Sequence, residues 1–185
     1  DPAAVLAVTL GTGGVLETLG TGAILADMST CDPATERRIA SAAAARGVRF
    51  VDAPVSGSRK PAEEGALLVL AGGEASDIAA LDPVFRHLAR RVIHAGPVGA
   101  GAALKLAVNG AGAHVLAGIA TGLAIATAAG IDGKTFLDTL DAGAFGSPLV
   151  GLKGPLLLER RYPPAFRLDL LRKDLALARD LAREA

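Results

Sequence analysis

Gly96-Pro97-Val98-Gly99-Ala100-Gly101-Ala102-Ala103-Leu104-Lys105-Leu106-Ala107-Val108-Asn109 is the stretch that decides the fold. Before it, short β-like runs alternate with helical ones; after it, no strand-like run occurs. Lys105 is also the only Asp, Glu, Lys or Arg between Arg91 and Asp132. A lone ammonium in so apolar a run has two readings. Its stem packs while its head reaches water, the commoner outcome, or burial lowers its pKa and it handles a proton. Asn109, one helical turn on, shares its face and would hold either the ammonium or a ligand.

Toward the N-terminus, Ala23-Ile24-Leu25-Ala26-Asp27-Met28 reads as a buried strand. Asp32-Pro33 then caps a helix running to about Arg46, with Pro at its first position, and Gly47 stops it. Val48–Asp52 and Leu67–Ala71 are the next strands, Asp77–Leu88 a helix, and Arg91–His94 a further strand. The opening Asp1–Leu10 favours a helix. Strands alternating with helices predict an α/β sheet. Toward the C-terminus the pattern is all helical: about Ala102–Ala129, Gly133–Leu140, and Leu168 onward, the last with an apolar stripe at Leu171, Leu175, Ala178 and Ala182. A domain boundary is expected near Gly99, separating 1–98 from 99–185.

Composition narrows the partners. The 185 residues carry 19 basic and 19 acidic side chains, so no electrostatic footprint for nucleic acid exists. Five Phe and one Tyr supply no base-stacking platform. Cys31 is the single cysteine, which rules out an internal disulfide and fits a reducing compartment. The first residues show no basic segment with an apolar core, so a cytoplasmic location is expected. Leu106–Ile131 lacks Asp, Glu, Lys and Arg and exceeds the roughly 20 residues of a membrane span. Its Asn109, His114, Thr121 and Thr127, its many Gly and Ala, and the missing aromatic flanks favour a helix buried in a folded protein, with no membrane partner.

Several short motifs stand where a sheet places ligands. Asp52-Ala53-Pro54-Val55-Ser56-Gly57-Ser58 follows a strand, and ligands of open α/β sheets bind beyond strand carboxyl ends. Ser hydroxyls and freed backbone N–H groups suit a small carboxylate, though Ser-Gly turns are common without a ligand. Ser29-Thr30 also follow a strand and face either a ligand or only their own backbone. Taken alone, Lys173-Asp174 reads as a solvated pair. Cys31 lacks a base partner and reads as a small buried residue. His87, His94 and His114 show no metal-ligand spacing, so no metal is expected. No G-x-G-x-x-G dinucleotide fingerprint occurs.

In order, Asp27-Met28-Ser29-Thr30, Asp52 to Gly57, Gly96-x-x-Gly99-x-Gly101-x-x-x-Lys105-x-x-x-Asn109 and Lys173-Asp174 resemble the β-hydroxyacid dehydrogenase family. Ser56-Gly57-Ser58-Arg59-Lys60-Pro61-Ala62-Glu63, Gly151-Leu152-Lys153-Gly154-Pro155 and Tyr162-Pro163-Pro164-Ala165-Phe166 are similar to its glyoxylate and succinic semialdehyde reductase subgroup. The resemblance implies a partial Rossmann-like doubly wound sheet followed by an all-α domain on a long interdomain helix. It implies reduction of a short aldehyde acid to its hydroxy acid, with NADPH preferred over NAD. Lys105 becomes the proton donor. Ser56 and Gly57 hold the substrate carboxylate, with Asn109, Phe166 and Asp174 also at the substrate. Thr30 and Lys173 lie beside the nicotinamide. A homo-oligomer, dimer or tetramer, is expected, and a longer parent chain carrying the missing fingerprint and the residues that choose between NAD and NADP. An NAD-dependent 3-hydroxyisobutyrate-type dehydrogenase and a non-catalytic scaffold keeping the fold are the alternatives.

Overall fold

The computed structural model describes residues 1–184. Its elements run α1 (Pro2–Leu10), α2 (Val15–Thr18), β1 (Ile24–Asp27), α3 (Pro33–Ala44), β2 (Arg49–Asp52), β3 (Val55–Ser56), α4 (Arg59–Glu63), β4 (Leu67–Gly72), α5 (Ala75–Ala80), α6 (Asp82–Leu88), β5 (Ala89–Gly96), α7 (Ala100–Ala128), α8 (Gly133–Ala142), α9 (Pro148–Leu158) and α10 (Leu168–Glu184). The mixed α/β architecture agrees with expectation. Two compact units emerge. The first comprises Asp1–Asn109 with the chain from Ala165 onward; the second is Gly110–Pro164. This division differs from a break near Gly99: the first three turns of α7 and all of α10 group with the sheet.

In the first unit β1 pairs parallel with β2, and β4 pairs parallel with β5. The two pairs meet antiparallel, through Asp52 opposite Gly72 and through β3 against β4. The sheet is therefore mixed. The chain leaves β2, turns through the two-residue β3 and the short α4, and returns as β4. Alternation along the strands divides the core in two. Val51, Val69 and Ala71 face a cluster with Phe85. Phe50 faces the opposite way, onto Ile39, Ala43 and Leu16. Helices thus cover both faces of the sheet, as in a doubly wound fold. The expected helix Asp77–Leu88 is two pieces. Pro83, in the first turn of α6, lacks the N–H that a continuous helix would need.

The start of α7 is fixed from the sheet. Asp52, fully buried at the end of β2, accepts the Gly99 N–H on Oδ1 at 2.7 Å and the Ala102 N–H on Oδ2 at 2.8 Å. A carboxylate against the exposed amides of a helix N-terminus satisfies both the orphan donors and the helix dipole. Burial pushes the Asp52 carboxyl above its ordinary range, opposed by the N–H groups of Gly99 and Ala102. The glycines of Gly96-x-x-Gly99-x-Gly101 now have a steric reason. Gly99 has φ +92°, and a Cβ on Gly101 would collide with the Leu70 carbonyl and the Asp52 carboxylate. The motif brings helix and strand backbones together.

The second unit packs α8 and α9 on the later turns of α7 around Ile119, Leu137 and Val150. A Cβ on Gly122 would meet the Phe136 ring, so this glycine permits the close approach of α8. The sequence reading did not include α9, whose Gly151, Gly154 and internal Pro155 lower helix propensity. The expected buried helix is only partly covered among the described residues. The helix is long and apolar enough to cross a membrane by length and composition, and only 11% of its apolar window is buried. Val108, Val115 and Ile125 stand exposed because the flanking helices are too few to surround it.

Asp52→Ala leaves two buried N–H groups without an acceptor and should cost about 3 kcal/mol of stability. Gly101→Ala should cost about 2 kcal/mol through overpacking. Urea unfolding of both variants beside the wild type checks the pair, and a loss within experimental error for Asp52→Ala would remove the anchor from the account.

Candidate active site

At the carboxyl ends of β1 and β2 the first unit holds a cavity of about 530 Å³. Such a volume is within the range of small-molecule sites. Six of the residues expected at the substrate line it: Ser56, Gly57, Lys105, Asn109, Phe166 and Asp174. Thr30, expected beside the cofactor, lines it too. Lys173 is outside the lining but is tied to two lining residues. Its Nζ donates to the Thr30 carbonyl at 2.7 Å and lies 2.9 Å from Asp174 Oδ1.

These residues form one polar chain. Lys105 Nζ donates to Asn109 Oδ1 at 3.0 Å, and Asn109 Nδ2 donates to Asp174 Oδ2 at 2.7 Å. The first contact is a consequence of helical spacing. The second joins side chains 65 residues apart and brings α10 onto α7. Lys173 and Asp174 are no solvated pair: their side chains are 23% and 3% exposed. The ammonium of Lys173 approaches Asp174 Oδ1 without hydrogen-bond geometry, leaving that oxygen with charge compensation but no donor. Lys105 is half-buried in the lining instead of extending to bulk water. Burial lowers its pKa; the Asp174 carboxylate opposes this and the Lys173 ammonium adds to it. A lysine so placed gives up its proton more readily than one in water.

The loop after β2 is strained. Gly57 has φ +146° and Ser58 φ +64° with ψ −158°, the latter a region in which glycine is usual and other residues cost about 1–3 kcal/mol. The sequence reading did not assign Val55, Ser58, Arg59, Ala62, Leu67 and Ala165 to the site, yet all line the cavity. The short helical spacing of Arg59 and Ala62 was the available signal.

Behind Ser29-Thr30 lies a second group the sequence did not disclose. Asp27, Cys31 and Glu36 have their polar atoms within 4.8 Å of one another. Cys31 is buried as expected, and burial with the nearby Glu36 and Asp27 raises its thiol to about 12, so it is no nucleophile at neutral pH. Glu36 is fully buried. Burial, then Asp27 and Asp52, push its carboxyl up to about 9. As two carboxylates, Glu36 and Asp27 would leave Glu36 Oε1, Oε2 and Asp27 Oδ2 without a donor. The proton Glu36 retains supplies one.

A helix start lined with glycines invites comparison with a diphosphate cradle, but the amides of α7 are taken by Asp52. Those of α1 and α3 are capped by Asp1 and Asp32. No phosphate site is assigned to these three helix starts.

Residues 1–96 match the family model described as the NAD binding domain of 6-phosphogluconate dehydrogenase. Residues 99–185 match that described as NAD-binding of NADP-dependent 3-hydroxyisobutyrate dehydrogenase. The chain belongs to the β-hydroxyacid dehydrogenase family. Among its relatives, glyoxylate/succinic semialdehyde reductase 1 of Arabidopsis thaliana is 42% identical over 184 residues, 100% of this chain and 64% of that protein. The chloroplastic reductase 2 of the same plant is 34% identical over 98% of this chain and 51% of its own length. A solved 3-hydroxyisobutyrate dehydrogenase of Mycobacterium tuberculosis with L-serine superposes with a TM-score of 0.85 at 28% identity, over 92% of this chain and 62% of that one. The chain thus spans less than two thirds of each of these proteins.

Glu36 binds a proton in the fold up to about pH 9, against 4.5 ordinarily. Between these values the folded state holds more protons than the unfolded one, so stability falls as pH rises. Glu36→Gln, which mimics the protonated acid, should flatten this fall and be more stable than wild type at pH 8. Denaturant midpoints from pH 5 to 9 test it; parallel wild-type and variant profiles would disprove the retained proton.

Proposed function

We propose that the protein reduces a short aldehyde acid, glyoxylate or succinic semialdehyde, to its hydroxy acid with NADPH. The observation that carries this reading is the chain from Lys105 through Asn109 to Asp174 in a cavity that also contains Ser56 and Gly57. The names of the Arabidopsis relatives and the NADP-dependent family model support the substrate and the cofactor.

The cofactor supplies the hydride. Thr30 would lie against the nicotinamide end, with its backbone held by Lys173. Ser56 and Gly57 would take a carboxylate that adjoins the carbonyl, as in glyoxylate, and so orient it, since positioning lowers the barrier. Lys105 would donate its proton to the carbonyl oxygen as charge develops there, where its lowered pKa favours transfer. Asn109, itself held by Asp174, would aim the ammonium. Phe166 would cover the apolar part of the substrate. Self-association through the exposed apolar face of α7 fits the uncovered Val108, Val115 and Ile125.

An NAD-dependent 3-hydroxy-acid dehydrogenase is the second reading, favoured by the likeness to the mycobacterial enzyme. Initial rates on both aldehydes and on 3-hydroxyisobutyrate, with each cofactor, separate the two.

In the full-length protein, Lys105→Met should lower kcat by about 10²–10⁴-fold, the usual worth of a general acid, with aldehyde KM changed far less. Reduction requires the protonated lysine. The wild-type rate should therefore fall as pH rises through the lowered pKa, at a lower pH than an ordinary lysine would give. Full turnover by Lys105→Met would refute the assignment.

A further inference from the structure

We infer that Arg59 reads the remote carboxylate of a four-carbon aldehyde acid and so sets the chain length that the cavity prefers; this rests on the reductase reading above. Three cavity residues bear charge: Lys105, Arg59 and Asp174. Asp174 is compensated by the Asn109 amide and the Lys173 ammonium. Lys105 is assigned to the carbonyl. Arg59 is the remaining cation in the lining, and its ion pair is weak. It lies 3.9 Å from Glu63, one turn along α4, with side chains 71% and 69% exposed. A pair of that kind contributes little, so the guanidinium is free to exchange Glu63 for a ligand carboxylate, which it can bind through two parallel hydrogen bonds.

Placement on α4 supports the choice. Arg59 and Ala62, three apart and so on one helical face, both line the cavity, and Ala62 leaves room there. The neighbouring Lys60 is 83% exposed, is directed to Glu64, and is not in the lining. Arg59 also follows directly on Ser56-Gly57-Ser58, where Ser58 holds a backbone conformation that favours glycine. The Ser56-Gly57 turn and Arg59 at the start of α4 would thus offer two places for a carboxylate on one short segment. Ser56 and Gly57 suit an acid whose carboxylate adjoins the reacting carbonyl. An acid with two methylenes between carboxylate and carbonyl calls for a carboxylate partner set apart from the one that glyoxylate uses, and Arg59 is the lining cation that would provide it. The cavity, at about 530 Å³, has room for the longer substrate.

The test uses the full-length protein and its Arg59→Gln and Arg59→Lys variants, with NADPH and three aldehydes: succinic semialdehyde, glyoxylate and uncharged butanal. For Arg59→Gln, kcat/KM on succinic semialdehyde should fall about tenfold or more, mainly through KM, the loss expected for one charge-assisted bond. Arg59→Lys should recover part of it. Butanal should stay within about twofold and glyoxylate within about threefold, because neither has a remote carboxylate. An equal fall on all three aldehydes, or none on succinic semialdehyde, overturns the role of Arg59 alone. A wild-type protein that reduces none of them overturns the reductase reading and this inference together.

Discussion

One buried carboxylate sets the geometry of the site. Asp52 sits at the end of β2 and receives the first amides of α7. The charge is costly to bury, and the two N–H groups together with the helix dipole offset that cost. Because the helix is rigid, fixing its first turn also fixes Lys105 and Asn109 over the carboxyl end of β2. Gly72 and Gly101, where a Cβ would meet the Asp52 carboxylate, leave room for the contact. Without that contact, the lysine would have no defined position relative to the Ser56-Gly57 turn.

From this anchor the polar chain extends outward: Lys105 to Asn109, Asn109 to Asp174, and Lys173 back to the Thr30 carbonyl. It joins three parts of the chain around one cavity. Alternating cation, amide and carboxylate hold each other in place, and Lys105 and Arg59 are the two cations in the lining. Two cations in the lining are what the proposed reduction of an anionic substrate would call on.

Local chemistry was legible in the sequence. Asp32 and Pro33 announced α3, and Asp32 does accept the Thr35 N–H at 2.8 Å. The spacing of Lys105 and Asn109 predicted a shared face. The ordered motifs and the family they resemble implied that Ser56, Asn109, Asp174 and Thr30 share a site, and all four line one cavity. What stayed hidden depends on pairings between distant segments. Asp52 lies 47 and 50 residues from its two donors. The antiparallel return of β4 follows from a β3 only two residues long. The burial of Lys173-Asp174 comes from docking α10 on the sheet unit, and periodicity within α10 cannot report it. The Glu36–Asp27 pair likewise needs a strand end and a helix face to meet.

Anchoring α7 leaves Lys105 partly desolvated, which is what the proposed proton transfer requires. Heteronuclear NMR titration of the lysine Nζ signals in the full-length protein, with Lys105 assigned through Lys105→Arg, measures this directly. The expected midpoint lies below the ordinary lysine value of about 10.4. A midpoint at or above that value would contradict it.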